Sequence, residues 1–443
     1  MHTVAAWTIG SVMQRPWIPA RSSPKGEHDD HAMHSVERRS NRQPSGDRQS
    51  DEPDQYPDHY LDQIRPQRLG SLGSWLSRFP RAEGGLVLDF CTYHLKTRAP
   101  ALPMQPVVDA AGWTAESLGP VRDWSYRTSL HDQDELLAAI NHFRTLGLPL
   151  PDVNQTNFPL PTLKGVLADI RRELTDGRGI VMVQDFPIDR LDREGVALAY
   201  MGFGSYLGEK MVQNRHGHVL GHVKDLGENY VTGGRSYNTN AEVRFHSDAC
   251  DYVGLLCLHP AKKGGNSRVA SSVTLYNKML ERRPDLVEVL TRDFYRSHNG
   301  EMTPGTSPWY KQPIFSFTDG YFSAIGAGVT IEKVLRLPGV PPLTPEQQEA
   351  IAVYRSIVEE FAVDIEFKAG DIQFLANQVT LHSRRAFEDW PEPHRRRHLL
   401  RLWLRDPAGR PLPKEQHGSR SDRGVQIQGL KMIAPLDVET AAE

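Results

Sequence analysis

His246 and Asp248 stand two residues apart at the end of the strand-like run 243–248 (VRFHSD). In an extended segment residues i and i+2 point to the same side, so one imidazole and one carboxylate converge on one point. A metal site needs such convergence, and a third ligand must then come from another strand. His382 is available, after a Gly370-Asp371 turn and an apolar run. Two histidines and one carboxylate that leave coordination positions open form the facial triad of non-haem Fe(II) oxygenases. The run 394–405 (HRRRHLLRLWLR) alternates so that Arg397, Leu399, Arg401 and Trp403 share one strand face. Two arginines on such a face are unusual in a core strand, and their guanidinium forks suit bidentate capture of a carboxylate. The pattern is that of an open metal centre beside an anchor for a dicarboxylate. His-x-Asp alone is weak, since His28-Asp29-Asp30 repeats it near the N-terminus.

The elements that must hold these residues emerge from the rest of the chain. At 443 residues the length suggests about three domains. Apolar residues make up only 39%, and mean hydropathy is −0.50, so apolar residues are unevenly spread. Residues 1–68 are dominated after Arg21 by polar and charged types and read as a disordered tail. The order of residues 1–20 does not fit a secretory signal, and His28, His31 and His34 read as solvated. Residues 69–160 read as an N-terminal extension on the core, 161–410 as the catalytic domain and 411–443 as a C-terminal extension. Within 161–410, the spacing of Leu163, Val166, Leu167, Ile170 and Leu174 predicts a helix. GIVMVQDF then reads as a strand and REGVALAYMGFGSYLG as a second helix. Short strands follow between Gly, Asn and Pro, then a long helix over PEQQEAIAVYRSIVEEFA and a closing set of strands. Many short strands with inserted helices predict a mostly β (α+β) sandwich or barrel-like core.

The ordered set FHSD (245–248), GGNS (264–267), GDIQFLAN (370–377), LHSR (381–384) and RRHLLR (396–401) resembles the Fe(II)/2-oxoglutarate-dependent dioxygenases of the taurine dioxygenase (TauD/TfdA) family. The resemblance spans roughly residues 160–406. It implies a double-stranded β-helix, or jelly roll, decorated by helices. It makes His246, Asp248 and His382 the iron ligands, with Fe(II) as cofactor and 2-oxoglutarate and O2 as co-substrates. Ser267 matches the family's hydroxyl on the 2-oxoglutarate carboxylate. Arg397 matches the anchoring arginine, with Arg396 as a rival that strand parity disfavours. Arg401 matches a second arginine for the co-substrate or a substrate anion. The implied reaction couples decarboxylation to succinate with hydrogen abstraction from substrate. The carboxylate of Asp248 argues for hydroxylation or desaturation over halogenation, which in related enzymes replaces it by a small residue.

Other residues carry weaker signals. Tyr237 and Asn240 lie just upstream of the iron motif, where the family often contacts substrate. Asn377 reads equally as an orienting amide or a turn cap, and Gln213 and Asn214 read as a polar loop. Segment 297–317, with Trp309 and Tyr310, reads as a lid over the iron. Cys250 and Cys257 read as small core residues. The run Arg395-Arg396-Arg397 could suggest nucleic acid, but the net charge of −3 and the lack of a broad basic surface or aromatic interleaving exclude it; no apolar run reaches membrane-spanning length, and three cysteines exclude a disulfide scaffold. These features fit a cytoplasmic enzyme acting on a small, carboxylate-bearing molecule, with homo-oligomer formation left open. A hydroxylase of proteins or carrier-tethered amino acids, and a non-catalytic metal-binding jelly roll, are the competing readings.

Overall fold

The helix expected from the Leu163 to Leu174 spacing spans Leu163–Thr175 and buries Leu163, Leu167, Ile170 and Leu174. Burying each leucine contributes about 2 kcal/mol. The second helix, Arg193–Ser205, is capped by Asp192, whose side chain accepts the Gly195 N–H, and is buried from Gly195 onward. A Cβ at Gly204 would meet Leu402 at 2.4 Å, so this glycine lets the helix lie close to the sheet. The computed structural model describes residues 98–228, 236–412, 425, 427 and 429–437, all within the compact unit Arg81–Glu443. The tail 1–68, its histidines and the start of the extension lie outside the described residues.

Two sheets organise the core. The major sheet contains β1 (Ser125–Arg127), β2 (Ile180–Gln184), β3 (Glu209–Lys210), β4 (Leu220–Lys224), β6 (Tyr252–His259), β14 (Ile372–Ala376) and β17 (His398–Arg405). Its order is β1-β2-β14-β6-β17-β3, with β4 also on β17. The minor sheet is ordered β13-β8-β15-β5 and comprises β5 (Val243–His246), β8 (Ser267–Ser271), β13 (Val363–Ile365) and β15 (Thr380–Arg384). Three two-stranded pairs complete the set: β7 (Lys263–Gly264) with β16 (Phe387–Glu388), β9 (Phe294–Ser297) with β10 (Trp309–Gln312), and β11 (Phe315–Thr318) with β12 (Tyr321–Ala324). Neither larger sheet closes into a barrel among the described residues.

The fold is mixed α/β rather than mostly β, because helices hold more of the described chain than strands do. Sequence spacing missed the helices Leu130–Thr145 and Ser272–Arg282. The first of them has a capping box from Ser129 and Asp132 but only a weakly amphipathic pattern. Parts of the flanking segments join the core. Strand β1 pairs with β2, and Ile433 exchanges backbone hydrogen bonds with Gly217 and Val219. Cys250 and Cys257 are buried and free. No helix among the described residues is long and apolar enough to cross a membrane.

Candidate metal centre

Strand β5 runs antiparallel to β15 in a register that sets His246 directly opposite His382. Their ring centroids are 4.2 Å apart. Asp248 follows two residues beyond His246, and the ligand atoms of all three lie within 4.8 Å of one another. The Nε2 atoms of His246 and His382 stand 4.0 and 3.9 Å from the two Asp248 carboxylate oxygens. The Nδ1 of His246 lies 2.9 Å from the Arg244 carbonyl. A carbonyl can only accept, so that nitrogen carries the proton and Nε2 is left as a lone-pair donor. This is the only such cluster among the described residues.

The surroundings hold this trio in ligand form. Burial pushes the His382 imidazole down to about 3, helped by His246 and Arg401, so it is neutral at physiological pH. Burial alone would raise the Asp248 carboxyl, but Arg401, the two histidines and the Trp403 indole keep it below the ordinary carboxylate range. Trp403 Nε1 donates to Asp248 at 2.9 Å. Asn377 accepts the Asp248 backbone N–H at 2.9 Å, so its amide orients the site rather than capping a turn.

A tight cavity of about 60 Å³ opens on the three side chains and is also lined by Ser267, Arg397, Arg401 and Tyr237. Arg397 and not Arg396 enters it. Arg396 donates instead to the Trp390 and Pro391 carbonyls, away from the cavity. Gly264 and Gly265 both have φ near +70°, a conformation that favours glycine, and turn the chain into β8. A Cβ at Gly265 would sit 3.1 Å from Arg397 Nε, so the Gly-Gly pair also makes room for the guanidinium. Ser267 donates to Gln373 at 2.8 Å. Asn240 is exposed, its carbonyl accepts from Phe387, and it does not line the cavity. The segment expected as a lid does not line it either: Trp309 packs edge-on to Tyr295, and Tyr310 packs against His298.

Gln213 is no surface loop residue. Its side chain is buried, accepts from Arg401 Nε at 2.8 Å, and donates to the Arg401 and Val219 carbonyls. Arg401 lies between the rings of Tyr237 and Trp403, 4.8 Å from each centroid. Its Nη1 is 3.5 Å from Asp248. The sequence holds no local signal for this role, because Gln213 reaches Arg401 only where the stretch joining β3 and β4 lies along β17. Gln213→Leu should weaken half-saturation by 2-oxoglutarate about tenfold, the cost of one unmade buried hydrogen bond to a charged group. Gln213→Glu, which still accepts from Arg401 Nε but can no longer donate to the Arg401 and Val219 carbonyls, should recover only part of that loss. Equal half-saturation in wild type and Gln213→Leu would remove any positioning role.

A sequence profile of the taurine catabolism dioxygenase TauD, TfdA family matches residues 146–403. The chain belongs to this family. It is therefore a 2-oxoglutarate-dependent oxygenase that uses Fe(II), 2-oxoglutarate and O2. It is 29% identical to FR-33289 synthase of Streptomyces rubellomurinus over 322 residues, 70% of this chain and 93% of that protein. It is 30% identical to a taurine hydroxylase-like protein of Stachybotrys chartarum over 312 residues, 66% of this chain and 78% of that one. Among solved structures, an asparagine oxygenase with Fe(II), 3-hydroxyasparagine and succinate matches at a TM-score of 0.50 and 17% identity, over 63% of this chain and 93% of its own. A variant of the non-heme iron oxygenase OrfP with (3S)-hydroxy-L-Arg matches at 0.50 and 13%, over 68% and 99%. These two likenesses establish a shared TauD-type fold.

The residues of this TauD/TfdA chain fit the groups the family uses. Arg397 is buried, and its Nη1 has no hydrogen-bond partner. Burial brings this guanidinium down to about 10, still protonated at neutral pH. A buried cation with an unused donor is costly unless an anion meets it. The buried Nε2 of Gln373, on the amide that accepts from Ser267, is likewise without a partner. A carboxylate placed beside Arg397 would satisfy the guanidinium, within the same cavity as the three metal-ligand side chains.

Proposed function

We propose that His246, Asp248 and His382 hold Fe(II), and that Arg397 and Ser267 hold the far carboxylate of 2-oxoglutarate. On this reading the protein hydroxylates, or otherwise oxidises, an unactivated C–H bond of a small, carboxylate-bearing metabolite, with succinate and CO2 as co-products. The observation that carries it is the buried Arg397 guanidinium, whose Nη1 has no hydrogen-bond partner, sharing one cavity with the His-Asp-His cluster. When bound, the iron and 2-oxoglutarate supply the activation of dioxygen. The chain's own residues orient and shield. Arg244 sets the His246 tautomer, Asn377 and Trp403 hold Asp248, and Gln213 holds Arg401. Arg401 is the candidate for a substrate anion or for the co-substrate, and Tyr237 is the candidate substrate contact beside it.

The hydroxylated amino acids bound in the asparagine oxygenase and OrfP structures favour an amino-acid-like substrate. We read the major and minor sheets as the two halves of a double-stranded β-helix, with β5, β8 and β15 carrying the site edge. We assign residues 161–410 to this catalytic domain, with the described parts of 69–160 and 411–443 as extensions packed on it.

Anaerobic addition of Fe(II) and 2-oxoglutarate should give a weak visible charge-transfer band. Admission of oxygen with a panel of amino acids and related carboxylates should then give succinate in step with loss of one of them. Neither band nor succinate would sink the assignment of these residues. Succinate formed only with a protein added would favour the protein hydroxylase instead.

A further inference from the structure

The face of the major sheet turned away from the iron site encloses a second, larger cavity. It is about 450 Å³, within the ~300–1,000 Å³ range of small-molecule sites. Its apolar wall comes from Val196 and Ala197 of helix Arg193–Ser205, and from Leu220, Leu258 and Leu400 on β4, β6 and β17. The alternation of β17 separates the two sites, with Arg397, Leu399 and Arg401 on the iron side and His398 and Leu400 on this one.

The other wall is basic. His398 stands directly opposite Lys224 on β4 and His259 on β6, so three basic side chains form one row across the sheet. His222 lies on the same face two residues before Lys224 and shares a 2.8 Å hydrogen bond with His398. Its other nitrogen donates to the Pro435 carbonyl at 2.9 Å. His394 and Arg396 come in from the turn before β17. Arg396 donates to the Trp390 and Pro391 carbonyls and forms no ion pair among the described residues. The single carboxylate among the described lining residues, Asp437, pairs with Arg193. Like charges directly opposed across a sheet are unfavourable. The chain relieves this by keeping the row neutral where it can: burial, then His222, Lys224 and His259, hold His398 down to about 3, and burial also lowers His222 and His259.

We propose that this cavity binds an amphipathic organic anion, with its carboxylate or phosphate beside Lys224, His259 and His398 and its apolar body against the leucines of the sheet. An anion there meets the Lys224 charge on a wall whose one described carboxylate is already paired with Arg193.

The test is calorimetric titration of the full chain, loaded anaerobically with Fe(II) and 2-oxoglutarate, with octanoate, octyl phosphate and inorganic phosphate. The expected result is that octanoate or octyl phosphate binds at least about tenfold more tightly than inorganic phosphate, the two arms separating a carboxylate from a phosphate head. Lys224→Ala, which removes charge, and Leu191→Trp, which fills the cavity from a further lining residue, should each weaken binding about tenfold. The proposal is overturned if neither amphiphile binds, if binding is unchanged in both variants, or if 2-oxoglutarate competes with the probe.

Discussion

His382→Ala is expected to abolish the anaerobic Fe(II)–2-oxoglutarate band and to cut turnover by on the order of 10³-fold, more than the ~10–100-fold typical of losing an outer partner of a metal ligand. His382 lies on β15 directly opposite His246, buried and neutral, and its Nδ1 has no hydrogen-bond partner among the described residues. Truncating it therefore breaks no hydrogen bond within the protein and leaves only a side-chain-sized gap. The variant should stay folded, with a melting transition close to that of the wild type, while one of three proposed ligands is gone. Asp248 is a poorer choice for this experiment. Its carboxylate faces Arg401 and accepts from Trp403, so removing it would leave a buried guanidinium without its counter-charge. A variant at His382 that keeps both the band and succinate formation would refute the proposed triad.

Arg397→Leu should raise the 2-oxoglutarate dissociation constant about 100-fold, the ~3 kcal/mol scale of a charge-assisted contact made in a buried site. The Fe(II) site should survive, because Arg397 touches none of the three proposed ligands; its one hydrogen-bonding contact through the side chain is a 3.4 Å approach of Nη2 to the Gly265 carbonyl. The substitution also separates binding from folding. In the free protein Arg397 is a buried cation with an unused donor, and replacing it by an apolar side chain of related length should leave the unliganded melting temperature unchanged or raise it. The rise in melting temperature on adding 2-oxoglutarate, large in the wild type by mass action, should nearly vanish in the variant. Undiminished stabilisation by 2-oxoglutarate in Arg397→Leu would place the co-substrate carboxylate elsewhere. Arg396→Leu is the matched control and should change neither quantity, since that side chain lies outside the iron cavity.

Much of this was legible in the residues themselves wherever the relevant rule is local. The two-residue backbone period places His246 and Asp248 on one side, and sorts Arg397 and Arg401 from Arg396 and His398. The 3.6-residue period marks the helix Leu163–Thr175. The weakly patterned helix Leu130–Thr145 escaped it, because its stability comes from tertiary packing more than from a clean apolar stripe. Asn240 and the segment around Trp309 do not line the cavity, for a different reason. Proximity in sequence to a site residue says nothing about which way a loop leaves the sheet.

What the sequence alone determined was the inventory and its handedness: a His-x-Asp pair, a distant histidine, and arginines of fixed parity on one strand. Only the tertiary structure decided which of them meet. The β5–β15 register sets His246 against His382. The long-range contacts of Asn377 with Asp248 and of Gln213 with Arg401 supply the positioning amides. The opposed Lys224, His398 and His259 gather on the reverse face only because three strands from different parts of the chain align there. Side-chain direction along a strand follows from bond geometry within a few residues. Register and loop path follow from the burial of the whole core, which no short stretch of sequence encodes.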